Sequence, residues 1–228
     1  MRGNGVLKSG KIMGVDALFR SYEQLMARAD AVFEQMALDY PDAVQCQRHC
    51  DDCCHAVFGL FLVEAAYLQQ QFARLSSSEK AETVLRCGRA DRELARLQQQ
   101  LREQEGKGPV EGDPLALGRV RCPLLNEERD CVLYAQRPIT CRIYGVPTKI
   151  KGKARVCGLS GFDSGTSYPT FDLDGVFRDL YDMSRELVLD AEGEDPDRAG
   201  LLISVSKVLT TPLESLIHEP LEGPGEGR

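Results

Sequence analysis

The stretch Cys46-Gln47-Arg48-His49-Cys50-Asp51-Asp52-Cys53-Cys54 places four thiols within nine residues. A second group, Cys122, Cys131, Cys141 and Cys157, follows further along, so that eight of the nine cysteines fall into two dense sets. Thiolates this close in sequence converge on one small volume at little closure cost, which is what a soft metal requires. Four sulfurs are the usual complement of a structural zinc or an iron–sulfur cluster, and eight is twice four.

Disulfides fit less well. The segment from Met1 to Lys11 has no apolar run of the kind a secretory signal carries, so a reducing, cytoplasmic setting is expected. There, clustered cysteines act as ligands or redox groups. Nine is an odd number, and the adjacent pair Cys53-Cys54 suits ordinary cross-linking poorly. Cys87 stands apart in a helical pattern and reads as a small buried hydrophobe.

Helices supply the scaffold, and the fold class is mainly α: a helical domain with a cysteine-rich, loop and short β-hairpin metal-binding region. Residues 16–38 carry Leu18, Phe19, Tyr22, Leu25, Met26, Ala29, Phe33 and Met36 at helical spacing, and Tyr40-Pro41 stops the run. A second helix is predicted over 62–75. Ser76-Ser-Ser-Glu79 matches a capping box opening a third, charged helix to about residue 105. Two more are expected over 173–190 and 196–209, the latter with Pro196 at its start. Residues 106–114, rich in Gly and Pro, read as a loop between the helical half and the cysteine-rich half. Two hairpins are predicted: one joining strands near 120–125 and 131–134, the other pairing 148–151 with 153–157 around Gly152. The domain organisation is a flexible N-terminus over 1–15 and one globular domain over 16–210. Its cysteine-rich parts lie at 43–60 and 119–160, and a C-terminal segment over 211–228 ends in disorder.

With 43% hydrophobic residues the chain can bury a real core, but no apolar run nears the ~18 residues of a membrane span. A net charge of −7 argues against nucleic acid as a partner. Between Arg119 and Cys157 the balance reverses, with nine Lys and Arg against three acids. Cations there would lower thiol pKa values and offset the negative charge of a thiolate-bound metal. A docking face for an anionic partner is the alternative use of the same charge.

Taken together, Cys46-x3-Cys50-x2-Cys53-Cys54, Glu64 on an apolar helix, Cys122-Pro-Leu-Leu, Cys131-Val-Leu-Tyr-Ala-Gln-Arg-Pro-Ile-Thr-Cys141-Arg-Ile-Tyr-Gly and Cys157 resemble the CxxCxxCC, or YkgJ-like, family of zinc- or iron-chelating domains. The resemblance covers about residues 43–160. It implies that Cys46, Cys50, Cys53, Cys54, Cys122, Cys131, Cys141 and Cys157 bind metal. Three residues rather than two separate Cys46 from Cys50, a departure that loosens Cys46's place in the set. A more distant resemblance, to flagellin lysine N-methylase, implies an enzyme acting on a protein.

Two further points come from the residues themselves. Adjacent side chains diverge in extended chain, so Cys53 and Cys54 are better suited to two sites, or to two irons of a cluster, than to one ion. Cys46-x3-Cys50-x2-Cys53 is also the spacing by which radical S-adenosylmethionine enzymes hold a cubane with one open iron, although the alternation of strands and helices those enzymes need is missing. Cys122-Pro123 is similar to the Cys-Pro that closes ferredoxin motifs, which tips the cofactor from zinc toward iron–sulfur. His49 and His55 flank the first group but are not counted as ligands. Arg137 and Arg142 are candidate donors to cluster sulfurs or to backbone carbonyls, and Tyr134 and Tyr144 are expected in the core around the loops. Glu64 reads more readily as an exposed turn position than as a buried acceptor.

Three functions follow. The first is a cytoplasmic metal-binding protein holding zinc or an iron–sulfur cluster through eight cysteines. The second is a cluster-dependent group-transfer enzyme, with S-adenosylmethionine as the candidate ligand and Arg142, Lys151 and Arg155 drawing its carboxylate. The third is a structural zinc module presenting helices to a protein partner.

Overall fold

The computed structural model describes residues 12–104, 118–193 and 195–219. The stretch 1–11, the loop read over 106–114 and the C-terminal end 220–228 lie outside the described residues. The fold is mainly α. Helices α1 (Ile12–Asp39), α2 (Leu62–Ala73) and α3 (Ser77–Gln104) precede the second cysteine group. The four-residue α4 (Ile139–Arg142), strands β1 (Thr148–Ile150), β2 (Lys153–Arg155) and β3 (Phe171–Asp172), and helices α5 (Leu173–Asp190), α6 (Val205–Thr210) and α7 (Leu213–His218) follow.

Helix α2 is central because nine of its twelve residues are buried, with Gln70 and Ala73 left exposed. It packs against α1, α5, α6 and α7. The stripe foreseen on α1 is buried at Leu18, Phe19, Tyr22, Leu25, Met26, Ala29 and Met36, and α5 contributes Val176, Leu180, Leu187 and Val188. Rings interlock at the α1–α2 crossing, where Tyr67 meets Phe19 at 5.3 Å and Tyr22 at 5.1 Å, both edge-on. The capping box of α3 is present in full: Ser76 N–H donates to Glu79 Oε2 at 2.9 Å, and Glu79 N–H donates to Ser76 Oγ at 3.2 Å. Only Thr83, Arg86, Cys87 and Ala90 of α3 are buried, so this charged helix covers the core with one narrow face. Cys87 is fully enclosed.

The hairpin around Gly152 forms, with Thr148 opposite Arg155 and Gly152 at φ +71°. Strand β3 adds to it in parallel, giving the sheet order β2-β1-β3. The other hairpin does not form. Over 120–134 only the bridge Leu125–Cys131 remains, because Val120 N–H and Cys122 N–H donate to the carbonyls of His55 and Cys54. The helix expected over 196–209 is also interrupted. Pro196–Gly200 is a 3₁₀ turn capped by Asp195, and Ile203 then pairs with Leu60 as an isolated antiparallel bridge before α6 begins. Helix α1 starts at Ile12, and α7 lies within the C-terminal segment. Among the described residues no helix is long and apolar enough to cross a membrane.

Candidate metal centre

The first cysteine loop is shaped by local backbone bonds. Cys50 N–H donates to Gln47 O at 2.9 Å, closing a turn in which His49 adopts φ 65°. Residues Asp52–Cys54 then form a 3₁₀ turn, not extended chain, and this corrects the divergence expected of the adjacent cysteines: the thiols of Cys53 and Cys54 interact directly. Cys54 O accepts Cys122 N–H at 2.7 Å, bringing the second group alongside the first. Asn126 N–H donates to Asp130 O and its Oδ1 accepts Asp130 N–H, a turn that returns the chain to Cys131. Cys141 stands on α4, and Cys157 lies just beyond β2.

All eight cysteines of the two groups line one cavity of about 690 Å³. They fall into two neighbourhoods by mutual influence. Cys46, Cys50 and Cys157 act on one another, while Cys54, Cys122, Cys131 and Cys141 act together around Cys53. Cys53 also reaches Cys46, so it stands at the junction. Cys46 fits only because residue 145 is glycine, since a Cβ there would come within 2.1 Å of the Cys46 sulfur. Among the described residues, no three His, Cys, Asp or Glu side chains already stand as a group ready to hold an ion.

The donor set nevertheless fits a soft metal. Hydrogen bonds with the Cys141 and Cys54 thiols hold Cys53 down at about 3. Cys53 in turn, and then burial, push Cys54 and Cys141 up. Burial raises Cys46 and Cys122 to about 12, and Cys131 and Cys157 to about 11. One thiolate is thus welcome and further ones are resisted, a repulsion that a cation among the sulfurs would reverse. Backbone N–H groups two residues on also point at three sulfurs: Leu124 at Cys122, Leu133 at Cys131, and Leu159 at Cys157, the last at 3.4 Å. Such donors orient thiolates and tune a bound metal.

The basic residues serve the protein more than the thiols. Arg119 pairs with Asp52 at 2.5 Å and Arg129 with Asp51 at 2.9 Å, each tying the second segment to the first cysteine loop. Lys149 pairs with Asp172. Arg142 is almost fully buried: its Nη1 meets Asp30 Oδ2 at 2.5 Å, and it also donates to the carbonyls of Arg137 and Ala135. It braces α4 and is not available to an anionic ligand. Arg137 lowers the thiols of Cys53 and Cys131, and Cys50 acts on Arg129, so part of this basic stretch faces the sulfurs. Lys151, Lys153 and Arg155 are exposed.

Sequence reasoning missed several residues. Glu64 is buried, not exposed, and accepts hydrogen bonds from Tyr22 Oη, Phe61 N and Ile139 N. Asp52 accepts from the Cys157 thiol at 3.2 Å. Its place between Cys50 and Cys53 was the available signal. Tyr134 is 65% exposed, with the Arg137 guanidinium 4.0 Å above its ring, and does not fill the core. His55 Nδ1 is engaged by Asp51 O at 3.0 Å, and His49 lies 3.7 Å from Asp130.

Eight thiols thus line one cavity of a helical scaffold. Residues 45–158 match the model of the CxxCxxCC family, described as a "putative zinc- or iron-chelating domain". The chain belongs to that family. No curated protein and no solved structure matches it.

Proposed function

We propose that Cys46, Cys50, Cys53, Cys54, Cys122, Cys131, Cys141 and Cys157 hold the metal of this chelating domain, as iron–sulfur rather than as isolated zinc, and that the protein serves electron transfer or metal handling in the cytoplasm. The observation that carries this is the single cavity lined by all eight sulfurs, in which Cys53 is surrounded by Cys54, Cys122, Cys131 and Cys141. Eight thiols on one cavity suffice for two four-thiolate centres, and the Cys122-Pro123 pair, similar to the one that closes ferredoxin motifs, favours iron–sulfur over zinc. When bound, an iron–sulfur centre supplies one-electron chemistry. The chain contributes the thiolates, the N–H donors of Leu124, Leu133 and Leu159, and the Arg137 charge, all of which tune potential.

The group-transfer alternative has less support, because Arg142, the cation best placed in sequence for a carboxylate, is consumed by Asp30 and two carbonyls. Anaerobic purification followed by metal and acid-labile sulfide analysis tests the proposal. Iron with sulfide and a broad visible absorption band are expected. Zinc without sulfide would overturn the iron–sulfur assignment, and absence of any metal would overturn the whole.

A further inference from the structure

The cavity reaches beyond the sulfurs. Besides the cysteines it is walled by Val57, Phe58, Ala90, Leu94, Val120 and Val205, none of which can bind metal. These residues come from four directions: the segment after Cys54, helix α3, the start of α6 and the stretch leading to Cys122. The Leu60–Ile203 bridge holds the first and third together, with Leu60 N–H to Ile203 O at 2.8 Å and Ile203 N–H to Leu60 O at 3.0 Å. Gly59 makes the approach close enough, since a Cβ there would meet Leu202 Cβ at 2.6 Å. The wall is therefore preformed, and 690 Å³ falls within the roughly 300–1,000 Å³ of small-molecule sites.

Polar groups also line the cavity, among them Arg121, whose Nε is buried without a partner, and a serine pair set among these apolar residues. Ser204 and Ser206 both line the cavity, and their hydroxyls are 3.1 Å apart. Ser206 Oγ lies 2.5 Å from Asp91 Oδ1. The direction of this chain follows from chemistry. A carboxylate only accepts, so Ser206 donates to Asp91, and Ser206 then accepts from Ser204. Ser204 Oγ has spent its proton and also accepts Lys207 N–H at 3.3 Å, which leaves one lone pair. The wall thus presents an acceptor.

We infer that the apolar lobe of this cavity binds a neutral small molecule with a hydrocarbon body and a hydroxyl or N–H group, the donor meeting Ser204 and the body lying against the metal centre. The inference rests on the metal-binding function proposed above, because the loaded sulfurs form one side of the site. A phenol- or alcohol-like molecule satisfies the apolar residues named here, and its hydroxyl can donate to the remaining acceptor on Ser204.

The test uses metal-loaded full-length protein with 4-fluorophenol and fluorobenzene as probes, followed by fluorine NMR. Metal content is measured before either probe is added. Saturable binding of 4-fluorophenol is expected, about fivefold tighter than fluorobenzene for the one hydrogen bond. Ser204→Ala should bring the two probes to equal affinity. Leu94→Trp should abolish binding with metal content unchanged, and Val205→Phe fills the same lobe from α6, so the result does not hang on one variant folding. Normal metal content with no saturable binding overturns this inference alone, as does unaltered binding in both lobe-filling variants. Absence of metal from the wild-type protein overturns the metal-binding proposal, and this inference with it.

Discussion

Glu64 Oε1 accepts the backbone N–H of Ile139 at 3.3 Å, joining the central helix to the short helix that carries Cys141 across 75 positions of sequence. The same carboxylate accepts from Tyr22 Oη and Phe61 N, so three elements meet on one buried acid. Burial pushes its pKa up to about 7 against the pull of those donors, from an ordinary 4.5. The folded chain therefore binds the Glu64 proton more tightly than the unfolded chain does. The stability this contributes is full below about pH 4.5 and is lost as pH rises through 7, amounting to about 3 kcal/mol. Glu64→Gln removes the titration. Between pH 4.5 and 8, the stability of Glu64→Gln relative to wild type should shift in favour of the variant by about that amount in urea unfolding. Parallel pH profiles for the two proteins would contradict this.

Arg142 holds α4 from below through Asp30 and the carbonyls of Arg137 and Ala135. Arg142→Met keeps the length of the side chain but strands these acceptors. A loss of about 3 kcal/mol is expected, because breaking a buried pair leaves the partners uncompensated, though Asp30 is partly exposed and regains some solvent. Metal content should fall with it, since Cys141 is the preceding residue. A change within about 0.5 kcal/mol would place Arg142 among ordinary surface positions.

What the sequence made legible was local. The capping box at Ser76 and Glu79, the stripe of α1, the hairpin turn at Gly152 and the limits of α5 all depend on neighbours within a few residues, and each appears in the structure. Long-range pairing was not legible. Val120 and Cys122 spend their N–H groups on His55 and Cys54 rather than on a hairpin partner, and Leu60 claims Ile203 and breaks the expected last long helix. The cavity shows the same division. Clustering of eight cysteines was plain from spacing, but Gly145 beneath Cys46, Asp52 beside Cys157 and the brace at Arg142 exist only once distant segments have met. No local signal connects Asp91 with Ser206 across 115 positions.

Metal should hold the cysteine-rich segments in place. Between residues 43 and 60 regular structure is limited to one 3₁₀ turn and isolated bridges, and between 119 and 160 to short elements and the β1–β2 hairpin. The ion pairs that join them, Arg119–Asp52 and Arg129–Asp51, are solvent-facing on the arginine side and of a kind that contributes about 1 kcal/mol or less. A strong chelator under reducing conditions should therefore expose both segments to protease while α1, α2 and α5 keep their helical signal. Unchanged protease resistance after verified metal loss would show that the protein frame alone suffices.

Cys87 gives the sharpest internal control on the ligand set. It is fully buried on α3, and burial raises its thiol to about 12. It nevertheless lies close enough to Cys122 to act on it, so a ninth ligand is a concrete alternative to a packing role. Its surroundings argue for packing: its largest charged neighbour is Asp91, which discourages a thiolate, and it does not line the cavity shared by the other eight sulfurs. Cys87→Ala should leave metal stoichiometry unchanged and cost roughly 1–2 kcal/mol, as for loss of one small buried group. Cys53→Ser and Cys141→Ser should each lower stoichiometry, because the Cys53 thiol is lowered first by Cys141 and both line the shared cavity. Equal metal loss in Cys87→Ala and Cys141→Ser, measured on folded protein, would move Cys87 into the ligand set and require the two neighbourhoods of sulfurs to be redrawn.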